Sequence, residues 1–177
     1  MRRFLDALYR GAGWTAAGAL FLIFALVSVQ VLARILDSVF RLFGVVPIGF
    51  IIPSIAEISG FLLAAASFLA LAHTLTVGGH IRVGLLVERL GPSVRRYVEA
   101  GVGVFAALLG AYATVALARL ALKSWTFNDV SYGFVAVPLW LPQGLMTLGL
   151  AILTIALIDV TLTAWRDKKF LDSGTEA

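Results

Sequence analysis

Cysteine is absent from the 177-residue chain. That excludes disulfides, thiol nucleophiles and thiolate metal centres. Charge is scarce: Asp, Glu, Lys and Arg make up 14% of the residues, against roughly 25% in soluble domains. A soluble fold of this length would need more polar residues than that to cover its surface. Histidine is confined to His73 and His80, seven residues apart on one segment. A bis-histidine haem takes ligands on both sides of the ring, which this pair supplies poorly. Gly78-Gly79 is not followed by Lys and Ser or Thr, so it is no phosphate loop. Enzyme signatures are missing, and no catalytic residue, metal ligand or cofactor is expected.

What the chain has in abundance is apolar sequence, at 60% hydrophobic residues and a mean hydropathy of +0.97. Four runs reach the roughly 20 residues that cross a bilayer. They cover about residues 11–33, 53–76, 100–122 and 142–165. Only helices or closed barrels satisfy a backbone in lipid, and these runs lack barrel alternation. The expected fold is an all-α integral membrane protein of four transmembrane helices, with residues 1–177 forming a single membrane domain. The first run is longer than a signal-peptide core and has no small-residue cleavage site after it, so it is expected to be retained.

Basic residues set the orientation. Ten of them share one side of a four-span topology: Arg2, Arg3, Arg10, Arg82, Arg89, Arg95, Arg96, Arg166, Lys168 and Lys169. The other side holds Arg34, Arg41, Arg119 and Lys123. The positive-inside rule places both termini in the cytoplasm. The net charge of +4 follows from these retained loops, and nucleic acid is not an expected partner. Trp14 and Trp165 fall at the inner ends of spans, Trp125 and Trp140 at outer ends, where an aromatic belt lies.

Between the first two spans, Arg34, Asp37, Ser38 and Arg41 take one face at helical spacing, and Leu36, Val39, Phe40 and Phe43 the other. This predicts a short amphipathic interfacial helix; the alternative is a simple extension of the first span, against which Gly44 and Pro47 argue for a break. The inner loop TVGGHIRVGLLVERLGPSVRR carries an apolar stripe beside Arg82 and Arg89, apt to dock on the membrane or a partner. At the mouth of the last span, VPLWLPQ places Pro142 in a first helical turn, where its missing N–H costs least. Pro138 keeps the preceding residues extended. Trp140 anchors this lip at headgroup depth, where it could meet a partner.

Charges within spans each need an account, since insertion costs about 2.5–3.5 kcal/mol at mid-helix. Glu57, early in the second span, and Arg119, late in the third, are expected at similar depth and facing each other, with Gln30 in the same outer polar layer. His73 and Asp159 are the corresponding inner pair. Small residues at four-residue spacing, Gly103, Ala107 and Ala111 in the third span and Gly60 and Ala64 in the second, allow close helix approach. The middles of the spans are nearly free of charge, which disfavours a stand-alone carrier or channel. From these residues alone, an autonomous four-helix membrane protein, either haem-bearing or a small channel, stays open beside a non-catalytic transporter subunit.

Two strings narrow the choice. GGHIRVGLLVERL, directly after the second span, resembles the Gly-His-Ile/Val-Arg-Val stretch of the small permease subunit of tripartite ATP-independent periplasmic (TRAP) transporters. SYGFVAVPLWLPQG resembles that family's approach to its fourth helix, and Glu57 matches an acidic residue near the start of its second. Gly84 stands where the family often has an acid. The resemblance implies a non-catalytic subunit in the bacterial inner membrane. Its implied partners are a large permease subunit, a periplasmic substrate-binding protein and membrane lipid. The implied activity is sodium-coupled symport of an organic acid such as a C4-dicarboxylate. Glu57, Arg119, His80, Arg82, Pro138, Trp140 and Pro142 are the residues expected at structural or partner-interface positions. Arg82→Ala is expected to weaken complex assembly while the bundle stays folded; partner yield set against a thermal unfolding profile checks this. Replacement of Lys168 is expected to be tolerated.

Overall fold

A computed structural model describes residues 2–78 and 92–167. Four helices account for most of them: α1 (Arg2–Leu42), α2 (Ile55–Thr76), α3 (Pro92–Phe127) and α4 (Trp140–Asp167). Each holds a stretch long and apolar enough to cross a membrane. The end of the bundle that carries the α1–α2 and α3–α4 connections is called upper here, the opposite end lower.

Two helices exceed the expected spans. At about 1.5 Å per residue the 41 residues of α1 run to about 60 Å, twice the hydrocarbon thickness of about 30 Å. Hydropathy marks only the lipid-embedded part, whereas the helix continues until something stops it. Residues 34–43 were expected as a separate amphipathic helix; they are helical, but form the last turns of α1. No proline or glycine interrupts this segment before Gly44. That residue, at φ 71°, accepts the left-handed turn that ends the helix. Gly44 N donates to Arg41 O at 3.2 Å and Val45 N to Phe40 O at 2.8 Å, the paired bonds that close a helix C-terminus. The end of α3 repeats the device with Asn128 at φ 53°. There Asn128 N donates to Trp125 O at 3.3 Å and Asp129 N to Ser124 O at 2.9 Å.

The helices pack in the order α1, α2, α4, α3. The central pair, α2 and α4, run parallel; α1 and α3 flank them. Near the lower end α1 also reaches α4, where Tyr9, Ala12, Ala16, Ala66, Leu69, Ala72, Ile152 and Ala156 form one buried cluster. Tyr9 is its one aromatic side chain, and alanines let three backbones converge around it.

Small residues set each contact. A Cβ at Gly149 would lie 2.6 Å from the carbonyl carbon of Phe68 and 2.8 Å from Leu69 N, so α4 touches the backbone of α2. On the opposite flank, a Cβ at Gly110 would lie 2.8 Å from Thr154 Oγ1. Gly103 meets Thr161 in the same way. The α3 seam consists of Ala100, Gly103, Ala107, Gly110, Thr114, Leu117, Ala121 and Ser124, all buried or half-buried. Its steps of three and four residues are the 3.5-residue repeat of left-handed packing. Ala111, expected in this contact, is exposed, and Gly110 takes its place. Gly60 is likewise exposed, with no atom within 4 Å of a Cβ built on it. The close approach on α2 is made to Gly149 instead.

These distances separate two glycines of similar appearance in sequence. Gly149→Val should force α2 and α4 apart and destabilise the chain by about 1–3 kcal/mol, the usual cost of overpacking. Gly60→Ala should be neutral or slightly stabilising. Thermal unfolding in detergent micelles measures both.

Candidate functional site

The upper end gathers most of the residues that the sequence singles out. Its first part is built by α1. Leu5, Tyr9, Ala12, Ala16, Ala19, Ile23, Leu26, Gln30, Ala33, Asp37 and Phe40 are buried or half-buried, again at alternating steps of four and three. Two polar residues sit on this seam above α2, where the chain descending from Phe43 has no helical hydrogen bonds of its own. Gln30, buried at 6% exposure, accepts from Ile52 N at 2.8 Å. Asp37 Oδ1 accepts from Ile48 N at 2.8 Å, and Oδ2 from Gly49 N at 3.1 Å. Backbone groups beside lipid need such partners. The sequence reading put Asp37 on an exposed polar face; the structure turns it inward onto the connection. A signal was available: Gln30 and Asp37 lie seven residues apart in phase with Ile23 and Ala16.

The second part is the α3–α4 connection. Ser131 N donates to Val137 O at 2.9 Å and Leu139 N to Asp129 O at 3.0 Å, and Val130 pairs with Pro138 in one antiparallel bridge. Pro138 thus holds extended chain. Helix α4 begins at Trp140, which leaves the buried Pro142 in the first turn, where N–H groups have no intrahelical acceptor. Trp140 packs edge-on against Trp125, with centroids 4.6 Å apart and planes at 79°. The two outer tryptophans are therefore at one level, joined across α3 and α4.

This connection folds over the start of α2. Val135 N donates to Ser54 Oγ at 3.0 Å, and Ser54 itself adopts φ 56°. Gly133 lies directly on the Glu57 carboxylate, since a Cβ there would collide with Glu57 Oε2. Glu57 Oε2 is buried and makes no hydrogen bond among the described residues. Its place in the first turn of α2 puts the charge at the positive end of the helix dipole. Neither Ser54 nor Gly133 was singled out from sequence, because their meeting joins segments about 80 residues apart.

Arg119 does not join Glu57. Helix α4 stands between α2 and α3, and the depths differ. Level with Gly149 are Phe68 on α2 and, counting up from the Gly110–Thr154 contact, Val115 on α3. Glu57 is 11 residues above Phe68 and Arg119 four above Val115, so Glu57 stands about 10 Å higher at ~1.5 Å per residue. Arg119 is exposed on the outer side of α3. At the lower end His73 packs on Gly13, where a Cβ would lie 2.9 Å from His73 Cγ. Asp159 is half-buried on α4. No hydrogen bond or ion pair joins His73 to Asp159. His80 and Arg82 lie outside the described residues.

The Gln30 contact is open to a direct test. Gln30→Leu keeps the size and apolar fit of the seam but leaves Ile52 N without its acceptor. A destabilisation of about 1–3 kcal/mol is expected for such an orphaned group. Hydrogen–deuterium exchange should show faster exchange across residues 48–54 with α3 unaffected.

A family model matches most of this chain, over residues 23–167. Comparison with curated proteins and with solved structures finds no match. The matched segment takes in the upper part of α1, both upper connections and all of α2, α3 and α4. Four membrane-crossing helices and the VPLWLPQ lip at the head of α4 agree with what the resemblance implied. The chain belongs to the tripartite ATP-independent periplasmic transporters, as their DctQ component, the small permease subunit.

Proposed function

We propose that this chain is the non-catalytic scaffold half of a two-subunit membrane permease. It pairs with a large elevator-type subunit that carries an organic acid, of the C4-dicarboxylate class, inward with sodium. A periplasmic binding protein delivers that acid. The single observation that carries this reading is the family match over residues 23–167.

The packing supports a scaffold role. Gly149, Gly110 and Gly103 bring neighbouring helices to backbone or threonine contact, and alanines fill the three-helix cluster. Such interfaces leave little room for a polar pathway, which a carrier needs along its whole length. Transport chemistry is therefore assigned to the partner. A subunit that only braces its partner gains from tight helix contacts, because a firm support lets the moving part shift against a fixed reference.

The charge pattern supports the placement. With ten of the fourteen Lys and Arg residues at the lower end or in segments connecting there, the lower end is cytoplasmic, both termini included, and the membrane is the bacterial inner membrane. The upper end is then periplasmic. It carries the Trp125–Trp140 pair at the interface and the exposed apolar residues Phe43, Val46, Ile48 and Ile51 of the α1–α2 connection. These lie on the side from which a binding protein approaches.

The reading is tested by purifying the tagged chain from native membranes and identifying its companions by mass spectrometry. A large, many-helix TRAP permease component is expected in a fixed ratio. Reconstituted alone, the chain should pass no organic acid into liposomes, and sodium-driven uptake should require both subunits. Uptake by this chain alone would overturn the proposal.

A further inference from the structure

Three of the four helices turn surfaces toward the membrane that lipid can cover without cost. On α4 the exposed positions are aliphatic, from Leu141, Leu145 and Leu148 to Ile155, Ile158 and Leu162. On α1 the exposed mid-span residues, such as Phe21, Phe24 and Val27, are likewise apolar. On α2 the exposed hydroxyls serve their own helix. Ser67 Oγ donates to Leu63 O at 2.8 Å, and Thr74 Oγ1 to Leu71 O at 3.0 Å.

Helix α3 differs. Phe105, Tyr112 and Arg119 follow one another at seven-residue steps and therefore share a face. That face points away from the Gly103–Gly110–Thr114 seam that grips α4. Phe105 is 63% and Tyr112 75% exposed, and Arg119 is exposed as well. Neither the Tyr112 hydroxyl nor the Arg119 guanidinium has a hydrogen-bond partner among the described residues. Unlike serine or threonine, neither can bond back to the preceding turn, because the polar group stands too far from the backbone.

Depth decides what must cover them. Trp125, paired with Trp140, marks the upper interface. Arg119 is six residues below Trp125 and Tyr112 thirteen below, about 9 Å and about 20 Å along the helix. A hydrocarbon core of about 30 Å then leaves Tyr112 about 10 Å above the lower interface, still inside the hydrocarbon. Arginine could extend toward headgroups from its depth, but a tyrosine side chain is shorter than the distance left to either interface. Acyl chains accept no hydrogen bonds, so a polar face at this depth calls for protein acceptors.

We propose that the outward face of α3, centred on Phe105, Tyr112 and Arg119, receives a transmembrane helix of the large permease subunit. That helix presents a carboxylate to Arg119 and a hydrogen-bond acceptor to Tyr112. The proposal rests on the functional reading above and makes it specific: α3 faces the partner, whereas the outer stripe of α4 faces lipid.

The test uses the full-length chain co-expressed with the large subunit that purifies with it. A benzoylphenylalanine photocrosslinker is placed at Val115, between Tyr112 and Arg119, and in a second strain at Leu148 on α4. Illumination should join the chain to the large subunit from Val115 and not from Leu148. Arg119→Leu should leave the amount of inserted chain unchanged, since leucine suits lipid. The large subunit retained with it should fall at least about tenfold, as when one member of a desolvated charge pair is removed. Arg119→Lys, which keeps the charge, should retain more of the partner than Arg119→Leu. Crosslinks to lipid alone from Val115, capture of the large subunit from Leu148 instead, or full retention by Arg119→Leu would each overturn the assignment of α3. A wild-type chain that purifies without any large subunit would instead overturn the functional reading beneath it.

Discussion

The backbone contact between α2 and α4 at Gly149 holds the molecule together. With the glycine pressed on Phe68 and Leu69, the two central helices run side by side in backbone contact. Everything else is hung from that pair. Helix α1 lies against α2 along a 3.5-residue seam, and α3 against α4 along another. In lipid there is no hydrophobic drive to press helices together, so van der Waals contact between close backbones and a few hydrogen bonds must supply the cohesion. That is why glycine, alanine and threonine occupy the closest contacts, while most of the exposed surface is Leu, Ile, Val and Phe. A soluble bundle inverts this arrangement.

The same constraint shapes the upper end. Both connections there are irregular chain at the edge of the hydrocarbon, where a bare N–H is expensive. Gln30 and Asp37 answer for the first connection, and Ser54 and the Val130–Pro138 pairing for the second. The second connection then settles on Glu57 at a point where only glycine fits. A rigid upper rim results, built from four helix ends and two pinned connections. Such a rim suits the scaffold role proposed for this chain. On the proposal made above, the outward face of α3 offers a partner its polar groups, and the apolar stripe of α4 offers none.

The existence of the four spans, the start of α4 at its prolines and the level of Trp125 and Trp140 were legible in the sequence. So was the family, from the strings around His80 and Pro138. Each depends on residues close together in the chain: apolar length, a missing N–H, a short motif. The extent of α1 was not legible, because its last turns are polar on one side and hydropathy stops counting there, although the helix itself does not stop until Gly44. The Glu57–Arg119 pairing failed for a different reason. Distance from a span's end was a poor guide to depth once the helices were set in register by Gly110, Thr154 and Gly149.

What the sequence determined by itself is therefore the partition of the chain between water and lipid, together with the bias of its basic residues. Both are properties of segments taken singly, set by the free energy of moving each side chain or charge between phases. What only the tertiary structure decided is which segments meet: that Gly149 touches α2 while Gly60 touches nothing, that Asp37 turns inward, and that Tyr112 and Arg119 look away from the bundle. Those outcomes depend on how two helix surfaces fit each other, and many small residues in an apolar helix are equally able to fit. The choice among them is made by the joint packing of all four helices, which no single segment encodes.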